Sequence, residues 1–147
     1  MSDIIRTKTP PIGLFQFAAD TYTQPFWDAA REHKLKMPSC SACGFRRFPP
    51  TPFCPECHSQ DLTWTELSGE AIIYSYTIVE RAVLPGMAEF IPYMPIVVDF
   101  PDFPGVRLVS SLVDAPLDAV HVGSKVRVRW DDLPDGVTLP RFVLADD

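Results

Sequence analysis

The sequence predicts a mainly β protein: an N-terminal helical segment, then a zinc ribbon, then a five-stranded OB-fold barrel. Three observations predict it. All four cysteines fall in two C-x2-C pairs, Cys40/Cys43 and Cys54/Cys57, ten residues apart. Sixteen prolines, about twice the usual frequency, favour turns and sheet edges over long helices. Beyond residue 68, five runs of β-branched and aromatic residues are separated by reversals and one longer connection. The expected division is an arm and helix at 1–37, the ribbon at 38–67 and the barrel at 68–147.

Residues 1–20 show no clean period, and Pro10-Pro11 blocks an early helix. Leu14, Phe15 and Phe17 are nevertheless too apolar for a free tail. The arm is expected to pack on its own domain or on a partner, and its apolar length points to an interface as what orders it. From Gln24 a helix is expected, with Pro25 in the first turn, where a missing N–H costs nothing. Phe26, Ala29, Ala30 and His33 recur at i, i+3, i+4 and i+7 and form one stripe. His33 then stands at the helix end rather than acting as a base. Pro38 is expected to stop this segment just before the first cysteine pair.

Each C-x2-C pair can aim two thiolate sulfurs at one point, and two pairs supply the four ligands of a tetrahedral structural Zn2+ site. Gly44 and the run Pro49-Pro50-Thr51-Pro52 suit the turns of a ribbon and suit a helix badly. A thioredoxin-like redox motif needs only one such pair. Two disulfides are the other arrangement, and the lack of a signal peptide argues against an oxidising compartment. His58, directly after Cys57, is read as a loop residue, with replacement of one cysteine ligand as its alternative. Four cysteines close the coordination sphere, so the metal is expected to serve folding and not catalysis. Its contribution of roughly 10–16 kcal/mol in small zinc peptides exceeds what so short an apolar segment can supply.

Leu62–Leu67 reads as a strand leaving the ribbon, turned by Ser68-Gly69. The run from Ala71 to Arg81 alternates densely, placing Ile72, Tyr74, Tyr76 and Ile78 on one face. Pro85-Gly86 opens a loop to about Pro92 that carries exposed-looking Met87 and Phe90. Further strands are expected from Ile96 to Phe100, Val106 to Val113, Lys125 to Trp130 and Val137 to Leu144. Val106, Leu108, Ser110 and Leu112 share one face, and Val126, Val128 and Trp130 point inward. Five strands with one intermission, between the third and the fourth, are the pattern of an OB-type barrel.

The net charge of −6 disfavours binding of nucleic acid over the whole surface. Arg31, Lys34, Lys36, Arg46 and Arg47 nonetheless cluster around the first cysteine pair and could meet a phosphate-bearing ligand or an acidic partner; a solvated face is the plain alternative. No apolar run approaches the ~20 residues of a membrane span, so the expected location is the cytoplasm. No phosphate-cradling glycine loop, G-x-S-x-G elbow or H-E-x-x-H pair occurs. Asp99/Asp102 and Asp131/Asp132 read as turn acids. Tyr74 and Tyr76, spaced by two, are expected on one face as core or interface residues rather than as a base-stacking platform.

The ordered set Pro25-Phe26-Trp27, Cys40-x2-Cys43-x10-Cys54-x2-Cys57, Gly69-Glu70-Ala71-Ile72-Ile73-Tyr74-Ser75-Tyr76-Thr77, Pro92-Tyr93, Gly105-Val106-Arg107-Leu108 and Gly123-Ser124-Lys125-Val126 resembles domain-of-unknown-function family 35. The likeness covers nearly the whole chain and departs from the family at Pro95, where a small residue is expected. It implies a rubredoxin-like zinc ribbon joined to an OB-fold barrel, with Cys40, Cys43, Cys54 and Cys57 as metal ligands and no catalytic residue. It further implies a companion subunit of thiolase-superfamily enzymes (condensing, acyl-transfer or retro-aldolase), in some cases paired with a hot-dog-type hydratase, with acyl-CoA as shared ligand. In that setting Lys34, Lys36, Arg46 and Arg47 would meet the CoA phosphates, beside apolar walls from Phe45, Phe48 and Phe53. The alternatives are a nucleic-acid-binding module, a stand-alone acyl-CoA-binding protein and a stand-alone enzyme.

Overall fold

A computed structural model describes residues 3–10 and 17–145. Leu14 and Phe15, part of the expected apolar arm, lie outside the described residues. Helix α1 (Gln24–Arg31) starts behind a turn in which the Thr23 N–H donates to Asp20 Oδ1 at 2.7 Å, with Pro25 in its first turn. Phe26, Ala29 and Ala30 are buried. His33 does not continue their stripe. Its φ of 58° lies in the left-handed region, which ends the helix and swings the ring away toward the barrel.

Strands β1 (Leu35–Cys40) and β2 (Leu62–Leu67) pair antiparallel, from Leu35 opposite Leu67 to Cys40 opposite Leu62. Pro38 therefore does not stop a helix; it sits within β1 opposite Trp64. A two-stranded sheet has only edge strands, where a residue without an N–H is tolerated.

The barrel comprises β3 (Glu70–Tyr76), β4 (Met94–Asp99), β5 (Arg107–Leu112), β6 (Lys125–Asp132) and β7 (Thr138–Leu144), closed in the order β3-β4-β5-β7-β6. Neighbours are antiparallel except β5 and β7, which meet in parallel at Leu112 and Phe142. This is the five-stranded OB arrangement, and closure protects strand edges that a flat sheet would expose. Pro95 is accommodated inside β4 opposite Ser111. Ile73, Met94, Ile96, Val98, Leu112, Val126 and Phe142 fill the interior, and Phe26, Leu35, Met37 and Leu67 continue the same core into the helix and ribbon.

Two side chains lie where alternation does not put them. The β3–β4 register slips between Ile73 and Ser75, a bulge that throws Tyr74 outward. Tyr74 is 49% exposed, while Tyr76 packs on the core and donates its hydroxyl to the Val120 carbonyl, so the two do not share a face. Met87 is buried, because the Ala88–Phe90 turn folds the loop back on itself.

The barrel's two ends are dressed differently. At one end, the Ser68 N–H donates to Asp102 Oδ2 at 2.8 Å, Arg46 reaches Pro104, and His33 reaches Asp132, so the ribbon and α1 sit there. At the other, residues 5–8 cross the loops that precede β4 and follow β5. The Thr7 N–H donates to the Ala115 carbonyl, the Asp114 N–H to the Thr7 carbonyl, the Leu117 N–H to the Ile5 carbonyl and the Lys8 N–H to the Pro92 carbonyl. Thr7 is buried and its hydroxyl accepts from the Ala115 N–H. These bonds tie residues 5–8 to the barrel. Among the described residues, no helix is long and apolar enough to cross a membrane.

Candidate functional site

The two cysteine pairs form matching knuckles. In the first, the Cys40 N–H donates to the Phe45 carbonyl at 2.7 Å and the Gly44 N–H to the Cys40 carbonyl at 2.9 Å. In the second, the Cys54 N–H donates to the Ser59 carbonyl at 2.8 Å and the His58 N–H to the Cys54 carbonyl at 2.9 Å. The residue after each second cysteine is left-handed, at φ 81° for Gly44 and 64° for His58. His58 thus has a backbone role, as the counterpart of Gly44.

The four Sγ atoms lie within 4.8 Å of one another, with contacts across the knuckles of 3.5 Å for Cys40–Cys57 and 3.6 Å for Cys43–Cys54. An ion with metal–sulfur bonds of about 2.3 Å in a tetrahedron sets sulfurs about 3.8 Å apart, so the cluster fits one. Backbone N–H groups favour the thiolate ligand form at two of the four cysteines. That of Cys43 holds the Cys40 thiol down to about 6. Burial raises Cys54, but the N–H groups of Cys57 and Glu56 outweigh it and lower the thiol. Cys43 and Cys57 move the other way: the N–H groups of Phe45 and Ser59 pull down, while burial and neighbouring sulfurs push up more strongly. Four clustered thiolates repel one another, and a cation is the charge they lack. As a donor set, four clustered cysteines suit a metal ion of the soft-ligand type.

The four cations expected near it are not equivalent. Lys34 Nζ pairs with Glu32 at 3.0 Å and its side chain is 44% exposed. Lys36 is half-buried and lies opposite Glu66 in the ribbon sheet. Arg46 turns toward the barrel. Arg47 is buried, donating from Nη2 to the Thr51 carbonyl at 3.1 Å, with Nε and Nη1 unpartnered. Phe45 and Phe53 are exposed on the ribbon surface, whereas Phe48 packs against the core.

Two polar constellations escaped the sequence reading. His33 Nε2 lies 3.0 Å from both carboxylate oxygens of Asp132, with its ring stacked on Trp130 at 5.8 Å. Arg107 donates from Nε to Asp99 Oδ1 at 2.8 Å and lies 3.6 Å above the Tyr74 ring. The first is brought together by the docking of α1's end on β6 and the second by the β4–β5 register that sets Asp99 opposite Arg107, for which the sequence carries no local signal.

Comparison with known proteins places these features in context. The family described as "ChsH2, rubredoxin-like zinc ribbon domain" matches residues 27–63, and "ChsH2, C-terminal OB-fold domain" matches residues 64–131. A solved chain described as "Ltp2-ChsH2(DUF35) aldolase" superposes with a TM-score of 0.79 at 30% identity, covering 89% of this chain and all of that one. A DUF35 protein of unknown function from Sulfolobus solfataricus, at 22% identity and a TM-score of 0.61, shares the fold over 85% of this chain and 86% of its own. The "Probable enoyl-CoA hydratase alpha subunit" of Thermomonospora curvata is 32% identical over 93% of this chain, which spans 42% of that protein's length. A "DUF35 domain-containing scaffold protein" of Methanothermobacter thermautotrophicus is 27% identical over 67% of this chain and 72% of its own.

Proposed function

The chain belongs to the DUF35 family of zinc-ribbon and OB-fold proteins, and from that premise we propose that it is an accessory subunit of an acyl-CoA-processing enzyme. It docks on a thiolase-superfamily partner that carries out a condensing, acyl-transfer or retro-aldol reaction, and it acts in the cytoplasm. The observation that carries this reading is the match to the whole of a chain described as part of an aldolase, at 30% identity.

The metal is Zn2+ and its work is structural. Cys40, Cys43, Cys54 and Cys57 would hold it with every coordination position filled, leaving none for water or substrate. When bound, it supplies the positive charge that lets four thiolates share one small volume. The chain's own residues do the rest: backbone N–H groups orient the sulfurs, and the ribbon presents its cations beside them. Lys34 and Lys36 are the groups assigned to CoA phosphates, whereas Arg46 reaches Pro104 on the barrel and Arg47 is buried against Thr51.

A second partner is favoured by a separate observation. The hydratase alpha subunit aligns along 93% of this chain. A hot-dog-type hydratase is therefore a second docking partner, and the chain then bridges two steps on the same thioester.

The test is purification from the native host with zinc retained, followed by identification of stoichiometric companions. A thiolase-like protein co-eluting at a fixed ratio is the expected result. Recovery of the chain alone, or with nucleic acid, overturns the proposal. Lys34→Glu/Lys36→Glu within the recovered complex is expected to weaken CoA binding, and unchanged saturation would remove the phosphate assignment.

A further inference from the structure

Arg46 follows the first metal knuckle and leaves the ribbon altogether. Its backbone bridges to Ser39 in β1, just after the Cys40 N–H has been taken by the Phe45 carbonyl at 2.7 Å. Its side chain crosses to the barrel, where the guanidinium lies 4.2 Å over the Phe103 ring and Nη1 donates to the Pro104 carbonyl at 2.9 Å. Phe103 is 4% exposed and belongs to the core, in the turn that joins β4 to β5. The same turn carries Asp102, which accepts the N–H of Ser68 at the point where the ribbon becomes the barrel.

We infer that Arg46 is a positioning residue that couples metal occupancy in the ribbon to the order of the barrel turn at 101–105. The coupling follows from connectivity and reach. The knuckle that fixes Cys40 and Cys43 also fixes the backbone from which Arg46 projects, only three residues beyond Cys43. Without the ion, nothing apolar within the knuckle holds that backbone, because residues 41–45 are all exposed. The guanidinium then loses its fixed origin, the Phe103 ring loses its polar cover and the Pro104 carbonyl loses a donor. A cation over an aromatic face depends on short range and on direction, so it is sensitive to such a loosening. The ribbon's metal thus acts on a part of the molecule it does not touch. This rests on the metal-site reading and goes beyond it.

Amide hydrogen exchange on the full chain tests it, with segment 100–108 as the reporter and the β6–β7 turn at 133–137 as an internal reference. Removing zinc with a chelator is expected to speed exchange in 100–108 by about tenfold and to leave 133–137 unchanged. Arg46→Ala with zinc bound is expected to reproduce the rise in 100–108 and, because the coupling is reciprocal, to weaken zinc affinity by up to about tenfold, read by competition with a chromogenic chelator. Arg46→Lys, which retains a cation and a donor, is expected to restore part of the protection. Chelation of the Arg46→Ala variant should add nothing further at 100–108. Additive effects, a uniform rise that includes 133–137, or an unresponsive 100–108 segment would each overturn the coupling. A chain that takes up no zinc would instead overturn the metal assignment, and the Arg46→Ala comparison would still decide whether this contact orders the turn.

Discussion

Between Cys40 and Cys57 the buried residues are Cys40, Arg47, Pro50 and Cys54, whereas the six residues of β4 alone bury Met94, Ile96 and Val98. The ribbon loop has almost no apolar interior, and one of its few buried groups is a charged guanidinium. Fixing each residue of such a loop costs about 1–2 kcal/mol of backbone entropy. Burial can meet that cost in the barrel, where strands supply apolar side chains on alternate positions. In the ribbon loop it cannot, and four sulfurs around one cation take its place. The difference teaches that continuity of core is not uniformity of cause: β1 and β2 share the barrel's core through Leu35, Met37 and Leu67, while the loop between them stands on ligation.

The sharpest way to break the comparison is to remove the metal or one ligand. Cys54→Ser is expected to abolish ordered structure in residues 40–57, a loss on the scale of the roughly 10–16 kcal/mol that zinc contributes in small zinc peptides. The paired amides of β6 and β7 should stay protected in the same exchange measurement; their collapse would mean that the barrel depends on the ribbon. The converse experiment is Phe142→Ala, at a fully buried site in β7. It is expected to destabilise the barrel by about 3–5 kcal/mol in denaturant unfolding while zinc stoichiometry is unchanged.

The junction should respond to smaller changes. Gly69 has φ +91°, and a Cβ there would meet Val128 Cγ1 at 2.7 Å. Gly69→Ala is expected to cost about 1–3 kcal/mol by thermal or denaturant unfolding. At the knuckle, His58→Gly removes a side chain from a left-handed position while adding freedom to the unfolded chain. These effects oppose each other, so the change should stay below about 1 kcal/mol, with zinc retained. A larger loss would give the imidazole a role beyond the backbone.

The smallest effect concerns acidity. The bond from His33, followed by that from Thr138, holds the Asp132 carboxyl below its ordinary value of 3.8. A carboxyl lowered in the folded state stabilises at pH above its unfolded value, and that contribution is lost as pH falls through the folded value. Asp132→Asn should therefore flatten the stability profile only at pH below about 4, as read by melting temperature against pH. Any difference concentrated above neutrality would point to another group.

Much of this organisation was legible because its signals are local. The cysteine spacing, the glycine after Cys43 and the alternation in β5 and β6 each act within a few residues, and the sulfurs and inward side chains lie accordingly. Errors arose where a distant partner overrode a local rule. Pro38 reads as a stop until β2 lies beside it. Tyr74 reads as the companion of Tyr76 until pairing with β4 introduces the bulge. Arg46 and Arg47 are adjacent in a basic run, yet one clasps the barrel and the other is buried, and no pattern of charge distinguishes them.

The strap formed by residues 5–8 has a consequence in time. Its hydrogen bonds reach Asp114, Ala115 and Leu117, across about 108 positions of sequence. On a ribosome, both knuckles have emerged and can take up metal long before those acceptors exist. The strap cannot close until the barrel's third strand and the bend after it have left the tunnel. Contacts of such long separation form late and slowly. Closure of this strap therefore marks a chain whose third barrel strand has been made, and a loaded ribbon with a free arm marks one that has not yet reached it.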